Sequence, residues 1–295
     1  MEFRVLQYFL AVAREESISG AADYLHLSQP TLSRQLKDLE EELGKQLFIR
    51  GNRKITLTEE GMLLRKRAEE ITELVKKAED EISSSNEMLA GHITIGAGET
   101  DGNRFLIKAM NTLQQNYPLV HFNIISGDKV MITEAIDRGS LDFGLIFGNV
   151  DLTKYDSMPI PYKDIWGVLM RRDAPLADKE FITAEDLTDK PLIISRQAFQ
   201  NVEFKNFFHR EQEQLNIVAT YNLLFNGSLM ADEGMGYVLC FDKLVNVSGN
   251  SNLCFRPLKP GIEAGMSIVW KKYQVFSKPA QKFLQILQEK QKKYM

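Results

Sequence analysis

Residues 21–50, AADYLHLSQPTLSRQLKDLEEELGKQLFIR, decide how the other residues of this 295-residue chain are read. Ala21 and Ala22 keep a short helix thin enough for a neighbour to cross it closely. His26-Leu27-Ser28 is a polar turn, and Ser28 is placed to cap a second helix whose early Pro30 costs nothing, because first-turn amides have no internal partner. Leu32, Leu36, Leu39 and Leu43 recur at spacings of four, three and four, an apolar stripe facing the preceding helices. Upstream, Phe3, Leu6, Leu10 and Ala13, widened by Phe9 and Val12, predict a first helix, and Ser19 is the expected cap of a helix over 20–25. Downstream, Gly44 ends the long helix, Leu47 and Phe48 return to the core, and 49–57 (IRGNRKITL) reads as two short strands around a Gly51-Asn52 turn. The expected unit over 1–58 is an α-rich winged helix-turn-helix.

The face opposite the leucines carries Gln29, Pro30, Thr31, Ser33, Arg34 and Lys37. Gln pairs with adenine, Arg with guanine, hydroxyls with bases or phosphates, and a helix N-terminus favours a phosphate oxygen, so this face suits a major groove. A plain solvated helix would show the same residue types. Arg50, Arg53 and Lys54 would decorate the wing and grip phosphates. The net charge of −4 argues against a general nucleic-acid binder, and residues 1–58 balance eight Lys and Arg against eight Asp and Glu. Acids gather at Glu15, Glu16 and Glu40 to Glu42, while Arg34, Lys37, Arg50, Arg53 and Lys54 fall on the presumed DNA side, so a local basic surface is expected despite the balanced charge.

Many residues at fixed spacing carry a family resemblance: Ala21-Ala22, Leu25, Ser28-Gln29-Pro30, Leu32-Ser33, Gln35-Leu36, Leu39-Glu40, Leu43-Gly44, Leu47-Phe48, Arg50, Arg53 and Leu57-Thr58-Glu59-Glu60-Gly61. Residues 1 to about 60 resemble the DNA-binding domain of the LysR-type transcriptional regulators. The resemblance implies double-stranded operator DNA as a partner.

Thr58 with Glu59 and Glu60 starts a long helix over 59–90. Leu64, Ala68, Ile71, Val75, Ala78 and Ile82 alternate spacings of four and three, a coiled-coil seam broken at Ser85. Such a stripe either lies on its own domain or pairs with a second copy, and the resemblance implies a homodimer, or a homotetramer, joined through this linker helix. Residues 83–86 (SSSN) weaken its end and read as a hinge.

Beyond Gly91 strands alternate with helices: strands at 92–97, 119–125, 142–147, 165–170, 191–195, 217–221, 237–241 and 266–270, helices at 105–115, 130–138, 202–210, 228–233 and 280–290. That is an α/β domain with parallel strands. The resemblance implies a two-lobed effector-binding domain over 91–295, built like a periplasmic binding protein, with lobe 1 at about 91–161 and 266–295 and lobe 2 at about 162–265. A small-molecule effector would lie between the lobes, beyond the carboxyl ends of strands. The candidate contacts are Gly98, Glu99, Thr100, Asp128 and Phe147 on one side and Ser195, Arg196, Asn226 and Gly227 on the other. By family similarity Thr100 stands where a hydroxyl meets the effector. Glu99 departs from the pattern: facing the cleft it would repel a carboxylate ligand, with Arg196 as an offset. Loop capping accounts for these residues equally well.

His26, His92, His121 and His209 show no metal-ligand spacing, and no phosphate loop or nucleophile elbow occurs, so neither a metal, a cofactor nor an enzyme activity is expected. Cys240 lies in an apolar strand, and a redox pair with Cys254 has nothing to support it. With two cysteines, no signal-peptide pattern and no apolar span of about 20 residues, the expected compartment is the cytoplasm, off the membrane. RNA polymerase is an expected partner if the protein activates. The competing readings are a solute-binding or enzymatic α/β domain whose N-terminal helices only dimerise, and a constitutive DNA binder with a structural cleft.

Overall fold

The computed structural model describes residues 1–51, 54–83, 89–196, 198, 202–209 and 214–294. The chain forms two compact units, Met1–Ser83 and Ser84–Met295.

The first unit is α1 (Phe3–Glu15), α2 (Ile18–Leu25), α3 (Gln29–Leu43), β1 (Phe48–Arg50), β2 (Ile55–Leu57) and α4 (Glu59–Ser83). Ser17, not Ser19, caps α2: its Oγ accepts from the Gly20 amide at 3.2 Å, and Ser19 falls inside the helix. The turn passes through His26 in a left-handed conformation (φ 55°), and Ser28 Oγ then accepts from the Thr31 amide at 3.3 Å to start α3. Val5, Leu6, Phe9, Ala11 and Val12 of α1 meet Leu32, Leu36 and Leu39 of α3 in one core. The buried face of α1 is therefore centred on Phe9 and Val12, leaving Leu10 at its margin. Leu43 is a correction to the expected stripe: it is 41% exposed, because the helix ends at Gly44 (φ 64°) and the chain re-enters the core only at Leu47 and Phe48. That re-entry is held by Glu40, whose Oε1 accepts from the Leu47 amide at 2.6 Å and the Phe48 amide at 3.1 Å. β1 and β2 pair antiparallel, Phe48 opposite Leu57, and form the wing.

Thr58 starts α4 by accepting from the Gly61 amide at 2.9 Å while donating to the Gln46 carbonyl at 2.7 Å. The expected seam is corrected at Ala68, which is fully buried in the core of this unit and so closed to a second copy; Leu64 is half-buried against the same core. α4 belongs to the first compact unit along its described length, from Glu59 to Ser83. Residues 84–88, which hold the expected seam break and hinge, lie outside the described residues.

The second unit runs β3 (Gly91–Ala97), α5 (Asn103–Asn116), β4 (Val120–Ser126), α6 (Lys129–Asp137), β5 (Phe143–Phe147), β6 (Tyr155–Arg171), α7 (Ala184–Leu187), β7 (Leu192–Ser195), α8 (Val202–Phe208), β8 (Ile217–Tyr221), α9 (Leu224–Asp232), β9 (Tyr237–Phe241), β10 (Leu253–Pro257), β11 (Glu263–Lys271) and α10 (Lys278–Lys292). β3 pairs parallel with β4 and β5, and β7 pairs parallel with β8 and β9, each through helical crossovers. Alternation along each strand sends side chains to opposite faces. Ile193 and Val238 thus face one apolar cluster while Leu192, Ile194 and Leu239 face another.

β6 joins the two lobes. Its first half, from Tyr155 to Ile165, pairs antiparallel with β11, and its second half pairs with β9 and β10. The expectation of a strand beginning at 165 missed that first half, where Pro159 and Pro161 interrupt the apolar run. β10 and α7 were also absent from the sequence expectation. α10 returns to the first lobe, with Ala280, Phe283 and Leu287 buried against Ile93, Phe105 and Phe143.

Candidate functional site

On α3 the leucines and the Ser28 cap fix one face, and the opposite face is left outward. Gln29, Pro30, Thr31, Arg34 and Lys37 are exposed and Ser33 is half-buried. The Thr31 hydroxyl is engaged with the Ser28 hydroxyl at 2.7 Å. Lys37 pairs with Glu41 at 3.2 Å, one turn along, and Lys54 reaches Glu16 at 2.6 Å. Arg34 has no ion-pair partner among the described residues and is the cation on this face free to meet a ligand. Arg53 and the Arg50 side chain lie outside the described residues.

The second unit holds a cavity of about 780 Å³ between its lobes, inside the 300–1,000 Å³ that small-molecule sites occupy. Gly98, Glu99, Phe147 and Ser195, four of the nine candidates from sequence, line it. The others stand elsewhere. Thr100 is 5% exposed and outside the wall; its hydroxyl accepts from the Gly102 amide at 2.8 Å and donates to Met266 Sδ at 3.3 Å. Asp128 caps α6, its Oδ1 accepting from the Met131 amide at 2.8 Å, while its neighbours Gly127 and Lys129 reach the wall. Arg196 is exposed and away from the wall. Asn226 and Gly227 sit inside α9 because that helix begins at Leu224 rather than 228; Gly227 packs its open Cα face on the Tyr221 ring. The loop at the cleft is instead Asn222 and Leu223.

Sequence reasoning missed Tyr162, Lys163 and Trp166, which reach the cavity because β6 crosses it, and Phe241 and Tyr221, which close β9 and β8. The last two end the strands expected at 217–221 and 237–241; the candidates taken beyond strand ends did not include these terminal residues themselves. Two contacts among the described residues cross the cavity from lobe 1 to lobe 2. Glu99 Oε2 accepts from the backbone amide of Leu224, and Phe147 lies 4.9 Å from Phe241, whose ring in turn lies 4.3 Å from Trp166. Lys163 and Glu263 pair at 2.7 Å on the exposed rim. The Tyr221 hydroxyl donates to the Leu239 carbonyl at 2.8 Å, and burial pushes its phenol well above the ordinary range.

Behind this wall, on β6, Asp164 is 5% exposed and its Oδ2 has no hydrogen-bond partner among the described residues. Burial raises its carboxyl from 3.8 to about 6; Asp101 and Asp242 add to the rise, and the Thr100 hydroxyl and Lys243 oppose it. Cys240 and Cys254 are both buried thiols, and burial moves both upward, away from reactive thiolate character. No helix among the described residues is long and apolar enough to cross a membrane.

Residues 3–62 match the family described as "Bacterial regulatory helix-turn-helix protein, lysR family", and residues 86–292 match the "LysR substrate binding domain". The chain is 30% identical to the Hca operon transcriptional activator HcaR of Escherichia coli (strain K12), over 98% of each protein. It is also 30% identical to the uncharacterized HTH-type transcriptional regulator YwbI of Bacillus subtilis (strain 168), over 68% of this chain and 66% of that protein. Among solved structures, full-length CbnR complexed with its target DNA superposes with a TM-score of 0.75 at 18% identity, covering 98% of this chain and 99% of that one.

Proposed function

Because the chain belongs to the LysR family of DNA-binding transcriptional regulators, we propose that its N-terminal unit reads operator DNA through Gln29, Ser33 and Arg34, with Pro30, Thr31 and Lys37 beside them and Arg50, Arg53 and Lys54 on the wing. The observation that carries this reading is α3 itself: one face is pinned by buried Leu32, Leu36 and Leu39, and the other presents Arg34, with no ion-pair partner among the described residues, next to a capped helix start. Two copies joined along the outer part of α4, where Ile71 is 37% and Ile82 is 85% exposed, set two such heads on two half-sites. The sheet-edge strand β4 exposes Ile124 and Ile125, which supports a further contact toward a tetramer. Working on operator DNA, the protein acts in the cytoplasm, touching RNA polymerase where it activates.

A small-molecule effector in the cavity completes the reading. It shifts the equilibrium between lobe arrangements only as far as it binds one more tightly, typically about 1–3 kcal/mol of coupling. The contacts Glu99 to Leu224 and Phe147 to Phe241 favour a second reading in which the chain closes its own cleft and binds DNA constitutively. Gel-shift titration of a Ser33→Ala, Arg34→Ala variant at fixed salt tests the DNA surface; unchanged affinity and sequence preference refute it. Thermal shift against a metabolite library separates the two cleft readings, since a cleft ligand raises the melting temperature by mass action.

A further inference from the structure

Glu99 stands two residues past the end of β3, in the lobe 1 wall of the cavity, and reaches across to lobe 2, where its carboxylate accepts from the backbone amide of Leu224, the first residue of α9. α9 is nine residues long and has no side-chain cap of its own, Leu223 standing at its cap position. The first amides of such a helix form a partial positive pole that attracts an anion, and Glu99 supplies that anion from the opposite lobe. Beside it, Phe147 of lobe 1 rests on Phe241 of lobe 2. Lobe 1 therefore offers lobe 2 a carboxylate and a ring, the two parts of an aromatic acid, from its own chain.

An incoming carboxylate finds its seat taken and a like charge beside it. The cations that could hold it elsewhere are already engaged: Lys129 donates to the Asn149 carbonyl at 2.5 Å and Lys163 pairs with Glu263, both on exposed ground where solvent and salt screen them. An ammonium ion meets the reverse situation. Glu99 has no ion pair among the described residues, and the same wall is lined by the aromatic residues Phe147, Tyr162, Trp166 and Phe241, a residue class whose ring faces attract cations.

We propose that the cleft selects an aromatic amine, bound as its ammonium ion, and that Glu99 makes the selection. The proposal rests on the reading that the cleft binds an effector. It is tested on the full-length protein with two probes of matched ring and opposite charge, phenethylamine and phenylacetate, by thermal shift and isothermal titration. Phenethylamine is expected to bind and raise the melting temperature, and phenylacetate at the same concentration is not. Glu99→Gln keeps an oxygen for the Leu224 amide but removes the charge. It should weaken phenethylamine at least about tenfold and admit phenylacetate. Phenylacetate binding to the wild type as tightly as the amine, an unaltered amine affinity in Glu99→Gln, or no binding of either probe overturns the selection. The cleft reading fails by a different result, a metabolite library in which nothing binds; a library that yields an acid or a neutral ligand removes the amine proposal alone.

Discussion

Replacing Asp164 by Asn is expected to change the stability of the C-terminal unit in a way that depends on pH. The carboxyl is 5% exposed with one oxygen unpartnered among the described residues, and its burial raises it from 3.8 to about 6. In the unfolded chain the same group titrates at 3.8, so between the two values the folded protein holds the proton more tightly. Stability therefore falls as pH rises through that window, and above about 6 the whole cost of the buried charge is present. A displacement from 3.8 to about 6 corresponds to about 3 kcal/mol, of which about 2 kcal/mol is incurred between about pH 4.5 and about pH 7.5. Asn has the shape of the protonated acid and does not titrate. Whatever constant offset its amide introduces, the difference between variant and wild type should move by about 2 kcal/mol in favour of Asn across that range. Urea unfolding of the full-length protein followed by tryptophan fluorescence measures it, because both tryptophans, Trp166 and Trp270, belong to the C-terminal unit. A difference that stays flat with pH, or one that grows toward acid, refutes the reasoning.

On α3, Arg34→Ala should cost about 1–3 kcal/mol in operator affinity and lower the dependence of log affinity on log salt, read by fluorescence anisotropy at several salt concentrations; an unchanged slope and affinity would remove Arg34 from the interface. A Cβ on Gly61 would lie 2.2 Å from the Leu47 carbonyl oxygen, a backbone atom that cannot swing aside, so Gly61→Ala should destabilise the N-terminal unit by about 1–3 kcal/mol in thermal unfolding. Ile82→Asp, at a position 85% exposed, should leave circular dichroism intact and shift sedimentation toward the monomer, whereas Ala68→Asp, fully buried in the N-terminal core, should unfold that core first. Equal effects of the two would remove the distinction between the parts of α4.

The N-terminal unit was legible because its signals are local. Ser28, Pro30 and Gly44 mark helix ends within a few residues, and three of the four leucines on α3 fall where their spacing put them. Ser17 displaced Ser19 because two serines one turn-position apart look alike until the helix phase is known. In the C-terminal unit the strands with continuous apolar runs were visible, such as 143–147, while β6 was half hidden because its first half alternates buried Met158 and Ile160 with prolines and charges. Missing that half put Tyr162, Lys163 and Asp164 out of reach. Starting the helix at 228 leaves Asn226 and Gly227 as cleft contacts ahead of it, yet α9 begins at Leu224, whose amide Glu99 accepts, and Gly227 packs on Tyr221 inside that helix.

The heptad stripe shows why spacing cannot name its own partner. Leu64, Ala68, Ile71, Val75, Ala78 and Ile82 form one series in sequence, but burial divides it: Ala68 is fully covered by α1 and its neighbours, while Ile71 is 37% and Ile82 85% exposed. A period of three and four residues says only that one face of a helix is apolar. Which surface covers that face is decided by what else reaches it, and here the first turns are claimed by the chain's own core before a second copy could use them. The remaining stripe is short, holding Ile71, Val75, Ala78 and Ile82, and a helix pair with so few layers is marginal by itself. If α4 joins two copies, the contact must draw on the head beside it or on the effector unit as well, and single substitutions along the seam should therefore weaken the dimer by less than the sum that isolated layers would imply.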